Sequence, residues 1–132
     1  MDCLFCKIVN GEIPSKKIYE DDLVIGILDI NPNGEGHTLI IPKKHYADYK
    51  ELPDELLLHI YKIADKISDK LENKLQKHRV SFIFNYLDAQ EIKHFHLHIV
   101  PAFGKEITRS QDEVFELMKE DWLWHVVEKK EN

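Results

Sequence analysis

Long apolar runs, an excess of basic charge and a supply of cysteines are all missing from this chain, and each absence removes a class of function. No uninterrupted apolar stretch approaches the ~20 residues needed to cross a bilayer. The opening Met1-Asp-Cys-Leu-Phe-Cys6 has neither the basic start nor the apolar stretch of a secretion signal, so a cytoplasmic location is the expectation. Lysine and arginine total 18 against 24 acidic residues, a net charge of −6 with both signs interspersed. That balance argues against nucleic acid as a partner, although a local site can still hold a small anion. The only cysteines are Cys3 and Cys6. They are too close for a useful disulfide staple, and in a reducing compartment Cys-x-x-Cys points to metal or redox chemistry.

What remains is a globular chain. Its 132 residues, 43% hydrophobic and 32% charged, suit one domain over 1–132 that buries about two-thirds of its unfolded surface. No repeat, low-complexity tract or linker divides it. Residues 2–9 read as a short helix or turn, closed by Asn10-Gly11 and Pro14. Lys17-Ile-Tyr and Leu23-Val-Ile-Gly-Ile-Leu28 read as strands around a Glu20-Asp21-Asp22 turn, and His37-Thr-Leu-Ile-Ile41 as a third after the turn cluster Asn31–Gly36. Pro53-Asp54 opens one long helix, with Leu56, Ile60, Ile63, Ile67, Leu71 and Leu75 at spacings of three and four. Val80-Ser-Phe-Ile-Phe84 is a further strand. From Gln111 the chain reads as a short helix followed by Trp122-Leu-Trp124-His-Val-Val127. Hairpin-like strands interrupted by one long helix predict an α+β fold: an antiparallel sheet of about five strands with short terminal helices.

The run His94-Phe-His-Leu-His-Ile-Val-Pro101 carries the chemistry. Alternation of imidazoles with apolar residues predicts a strand with His94, His96 and His98 on one face and Phe95, Leu97 and Ile99 turned to the core. Imidazole titrates nearest neutrality, so such a row suggests proton transfer, nucleophilic attack or metal binding. One metal shared by all three is disfavoured, because the strand rise separates His94 and His98 by about 13 Å.

This run resembles the motif of the histidine-triad (HIT) family, and the resemblance extends along residues 3–104 in family order. Cys3-Leu-Phe-Cys-Lys-Ile-Val-Asn-Gly-Glu-Ile-Pro14 is similar to the opening of bacterial members. Leu28-Asp-Ile-Asn-Pro32, Gly36-His-Thr-Leu-Ile-Ile-Pro-Lys-Lys-His45 and Gln90-Glu-Ile-Lys-His94 resemble the succeeding blocks. Residues 105–132 match no motif and stand as a C-terminal extension.

The resemblance implies a nucleotide hydrolase or transferase acting at the α-phosphorus of purine nucleoside phosphoramidates or related nucleotides. His96 would be the nucleophile, forming a covalent nucleotidyl-histidine that water resolves; a two-step path divides one difficult displacement into two easier ones. His98 and His37 would face the phosphate and stabilise charge on its oxygens. Asp29 would bind the ribose hydroxyls, and Asn85 and Gln90 the phosphate or ribose side. Phe5, Ile8, Ile25 and Ile27 are candidates for the base pocket, though each is more simply a core residue. The resemblance also implies a homodimer, no organic cofactor and, in the zinc-carrying bacterial branch, a structural Cys₂His₂ site built from Cys3, Cys6, His45 and His94.

Three departures from the family pattern bear on the substrate. The loop Asn85-Tyr-Leu-Asp-Ala-Gln90 contains no glycine where a glycine-rich phosphate loop is usual. Glu91 stands where many members have a small hydroxyl residue, and Ala102-Phe103 replaces the arginine common after the proline of the triad. The altered loop makes a nucleotide-binding regulatory protein with little turnover the alternative reading.

Overall fold

The apolar runs become five strands: β1 (Lys17–Glu20), β2 (Val24–Leu28), β3 (Thr38–Pro42), β4 (Val80–Ile83) and β5 (Leu97–Pro101). They form one antiparallel sheet in the order β1-β2-β3-β5-β4, the α+β arrangement expected. Helix α1 (Leu4–Val9) precedes the sheet and α2 (Asp54–Leu75) joins β3 to β4. Residues 111–119 form a last helix, α3. The computed structural model describes residues 3–119, so the Trp122–Val127 segment lies outside the described residues. No helix among them is long and apolar enough to cross a membrane.

The central strands are covered on both faces, and this is why β2 and β3 are buried at every position and read as continuous apolar runs. Toward one face, Val24, Leu28, Ile40, Leu97 and Ile99 pack with the Leu/Ile stripe of α2. Toward the other, Ile25, Ile27, Leu39 and Ile41 pack with Phe5 and Ile8 of α1. The long helix needs no tighter explanation than its 3.6-residue stripe. Its first turn carries Asp54 and Glu55 and it ends at Gln76, whose φ of 57° is the left-handed C-terminal stop.

The histidine strand is shorter than the alternation predicts. β5 begins at Leu97, so His94 and His96 precede it. The cause lies at the end of β3, where Pro42 has no N–H to donate and gives its carbonyl to the His94 ring instead of to a ladder partner. The Phe95 N–H consequently bonds the Tyr46 carbonyl at 2.7 Å. The two-sided pattern survives this: Phe95, Leu97 and Ile99 join the core over α2, while the histidines face the α1 side.

The segment after β5 is strapped across the turn before β3. Glu35, 1% exposed within that turn, accepts from Thr108 N and Oγ1 and from Arg109 N at 2.8 Å, and its second oxygen accepts from Arg109 Nη1 at 2.7 Å. The turn itself is forced close to the sheet: a Cβ on Gly34 would fall on the Pro101 carbonyl oxygen, and Gly36 sits at φ 85° with Leu75 Cδ1 2.7 Å from where its Cβ would be. Burial raises the Glu35 carboxyl pKa, but the four hydrogen bonds more than reverse that and hold it at about 2, below its ordinary 4.5. A folded-state pKa below the unfolded one stabilises at pH above 4.5, and the gain disappears as pH falls from there toward 2. At neutral pH the ionisation of Glu35 contributes on the order of 3 kcal/mol of stability. Urea unfolding at pH 6 and pH 3 should therefore show a smaller acid-induced loss of stability in Glu35→Gln than in the wild type; equal losses would remove Glu35 from the acid response.

Candidate active site

A cavity of about 600 Å³ opens on the α1 side of the sheet. Its apolar wall is Phe5 and Ile8 from α1, with Ile27 and Leu39 from β2 and β3. Asp29 follows β2, His37 precedes β3, His96 directly precedes β5 and His98 lies within it; Asn85, Ala89 and Glu91 close it from the β4–β5 connection. Two expected residues are not on this wall. Ile25 is one pleat repeat from Ile27 toward the Pro42 end of the sheet and is packed under α1. Gln90 is turned away, its side-chain amide donating to the Ala47 carbonyl at 2.9 Å.

The imidazoles are organised by backbone groups. His96 donates its Nδ1 proton to the His94 carbonyl at 2.9 Å, which leaves the lone pair on Nε2. Phe5 stands edge-on to the same ring, centroids 4.8 Å apart. Burial lowers the His96 pKa, against opposing pulls from the His94 carbonyl, Asp29 and Glu91, so the ring is neutral at pH 7.

A second chain of tautomers begins at Asn33. Its N–H donates to His37 Nδ1 at 3.0 Å, so neutral His37 carries its proton on Nε2. That proton is directed to His98 Nδ1 at 2.8 Å, which in turn places the His98 proton on Nε2. The His98 Nε2 is buried and has no hydrogen-bond partner among the described residues. It is a donor waiting for an acceptor in a cavity that His98 lines. Burial, then the neighbouring imidazoles, push the His98 pKa down to about 4; burial also lowers that of His37, outweighing Asp29. All three site imidazoles are neutral donors or acceptors rather than cations.

Asp29 is committed on both sides. Oδ1 accepts the Asn31 N–H at 2.8 Å and Oδ2 is 3.5 Å from His37 Nε2. The Asp29 and His37 main chains are joined by an N–H to carbonyl bond of 2.9 Å, and the Gln111 side-chain amide reaches both of their carbonyls at 2.9 and 3.2 Å. Sequence reasoning missed Asn33, Gln111 and the Glu35–Arg109 clamp, because each acts through a backbone group or a partner far along the chain.

His94 belongs to a different cluster. Its Nδ1 is 3.3 Å from Cys3 Sγ, 3.5 Å from Cys6 Sγ and 3.1 Å from His45 Nδ1, while Cys6 Sγ and His45 Nδ1 are 3.3 Å apart. The four ligand atoms lie within 4.8 Å of one another. A tetrahedral zinc with N and S ligands would separate them by about 3.6 Å, so the donor set and spacing fit. His94 Nε2 donates to the Pro42 carbonyl at 2.9 Å, which frees Nδ1 as a metal-facing lone pair. Asp29, His37 and His98 also converge within 4.8 Å. Here the Asn33 N–H occupies His37 Nδ1 and forces a proton onto the facing Nε2, so this group is a hydrogen-bond network.

A family model described as the HIT domain matches residues 10–105. An uncharacterised HIT-like protein of Methanocaldococcus jannaschii is 45% identical over 103 residues, 76% of this chain and 79% of its own. The adenosine 5′-monophosphoramidase of Saccharomyces cerevisiae is 40% identical over 99 residues, 75% of this chain and 61% of its own. Among solved structures, a zinc-bound histidine triad family protein from Mycobacterium smegmatis superimposes with a TM-score of 0.84 at 32% identity, covering 94% of this chain and 95% of its own. With its matched domain, its sheet and its divided row of histidines, this chain belongs to the HIT family.

Proposed function

We propose that this protein hydrolyses purine nucleoside 5′-phosphoramidates, or related nucleotides, at the α-phosphorus through a covalent nucleotidyl-His96. The observation that carries the reading is the pairing of an Nε2 lone pair on His96 with an unpartnered Nε2–H on His98 in one cavity. Relationship to the yeast adenosine 5′-monophosphoramidase supports the substrate class.

In this reading the His96 Nε2 lone pair forms a bond to phosphorus as the bond to the leaving amine breaks. The amine departs with that electron pair and takes one proton from water at the cavity mouth. Water then attacks the nucleotidyl-histidine, releases the nucleoside monophosphate, restores the Nε2 lone pair and returns the proton. His98 Nε2–H hydrogen-bonds a phosphoryl oxygen throughout, held by His37 and ultimately by the Asn33 backbone. Asp29 accepts from the ribose, Asn85 lies on the phosphate or ribose side, and the purine rests on Phe5, Ile8 and Ile27.

Cys3, Cys6, His45 and His94 would hold a structural zinc in the same reading. When bound, it supplies a cross-link from α1 to the loops after β3 and before β5. A six-residue helix does not persist by itself, and α1 has only Phe5 and Ile8 as buried anchors. A homodimer and a cytoplasmic location complete the proposal.

With an adenosine 5′-phosphoramidate as substrate, His96→Ala should lose at least ~10³-fold in turnover while still binding AMP. Equal product release from wild type and variant would overturn the nucleophile assignment. Elemental analysis of the purified protein should give one zinc per chain in the wild type and in His96→Ala, and much less in Cys6→Ser. Zinc lost with His96→Ala, or retained in full by Cys6→Ser, would overturn the metal assignment.

A further inference from the structure

The cavity is lined by no lysine or arginine among the described residues, and its carboxylates are Asp29 and Glu91. Asp29 is already engaged, through the Asn31 N–H and the His37 ring. Glu91 is exposed and makes no ion pair or hydrogen bond among the described residues. Its charge is felt by the His96 ring, but no donor or cation among those residues holds it.

Its place follows from what the other walls hold. The proposed function puts the base on the apolar side, the ribose at Asp29 and the phosphorus between His96 and His98. Of the lining residues that this placement leaves unassigned, Glu91 is the one that carries a charge, and it sets the departing group against the β4–β5 connection. A single negative charge on the α-phosphate meets N–H dipoles. A second negative charge, on the leaving group, would meet a carboxylate with no cation among the lining residues to offset it. A positive charge there gains what the negative one loses.

We infer that Glu91 selects the leaving group by charge, favouring amines that carry a second, cationic group and rejecting anionic ones. The site would then take phosphoramidates of diamines or of basic side chains in preference to acyl, phosphate or sulfate conjugates. This rests on the phosphoramidase reading of the cavity and adds to it which member of that class is preferred. No new bond-breaking step is involved, since the charge sits on a part of the leaving group that does not react.

Three adenosine 5′-phosphoramidates of equal length isolate the effect: those of 1,4-diaminobutane, n-butylamine and γ-aminobutyrate, with free termini that are cationic, neutral and anionic. Wild type should rank their kcat/KM in that order, with roughly tenfold (about 1.4 kcal/mol) between the first and last. The span should narrow with added salt, as expected for an exposed charge. Glu91→Asp should keep the order, Glu91→Gln should reduce the span to within about twofold and Glu91→Lys should reverse it, each read as a ratio inside one variant. A wild-type span of about one, or one unchanged in Glu91→Gln, overturns the proposal. If wild type turns over none of the three, the phosphoramidase reading fails. The same ranking is then measured as competition of the three amides against a fluorescent AMP. An order that disappears in Glu91→Gln upholds charge selection, and a flat order overturns it.

Discussion

The carbonyl oxygen of His94 accepts the Nδ1 proton of His96, while the ring of the same residue is held between the Pro42 carbonyl and the Cys3, Cys6 and His45 side chains. Three structural decisions meet there. The ring ends the β3–β5 ladder by taking the carbonyl that a strand partner would use. It ties the capping residue of α1 to the sheet, since Cys3 is both that cap and a member of the cluster. The main chain of His94 sets which nitrogen of His96 faces the cavity. Supporting groups one step behind a reactive atom commonly fix its tautomer and orientation. Here the supporting residue also belongs to the candidate metal site, so the position of the His96 ring is coupled to the fold of the N-terminus.

The electrostatics of the cavity follow from the same economy of charge. Burying protonated imidazoles without partners would be costly, and burial accordingly pushes His37, His96 and His98 toward their neutral forms. Neutral rings can still recognise a phosphate if one of them presents a proton in a fixed direction. The Asn33 N–H starts that ordering, and it passes through His37 to leave a proton on His98 Nε2. A single backbone amide therefore polarises two side chains. The Asp29–His37 backbone pair that supports them is braced by Gln111 and, through Glu35, by Arg109.

Periodicity and motif carried the sequence reading as far as local rules reach. The 3.6-residue stripe gave α2, the two-sided apolar runs gave β2 and β3, and alternation assigned Phe95 and Leu97 to the core and the histidines to the other face. The strand start at Leu97 was not visible, because it depends on where the Pro42 carbonyl goes. Glu35 in a polar turn resembles any solvated acid, and nothing local links it to Arg109, 74 positions away. Gln111 lies in what read as an ordinary helix start. Ile25 and Ile27 share a strand face and a residue type, so only the position of the cavity along β2 separates them. Gln90 and Glu91 are adjacent, and the backbone path through the loop decides which one reaches the ligand wall.

That path also explains how a loop without glycine keeps its course beside the cavity. Leu87 takes a φ of 54°, the left-handed region where glycine would be free of strain. For a leucine the conformation costs about 1–2 kcal/mol. Leu87 is 60% exposed, so the side chain itself meets no clash, and the turn is held by the Gln90 N–H on the Leu87 carbonyl and by the Lys93 ammonium on the same oxygen. The backbone bend survives the absence of the residue that usually makes it easy. Beyond that bend the loop presents the Glu91 carboxylate to the cavity. In the proposed reading, a change confined to that side chain leaves the hydrogen bonds of the imidazole network in place and acts on the charge of the leaving group. In that reading, the charge of the leaving group is then set by the loop, while the geometry around phosphorus is set by the row of histidines.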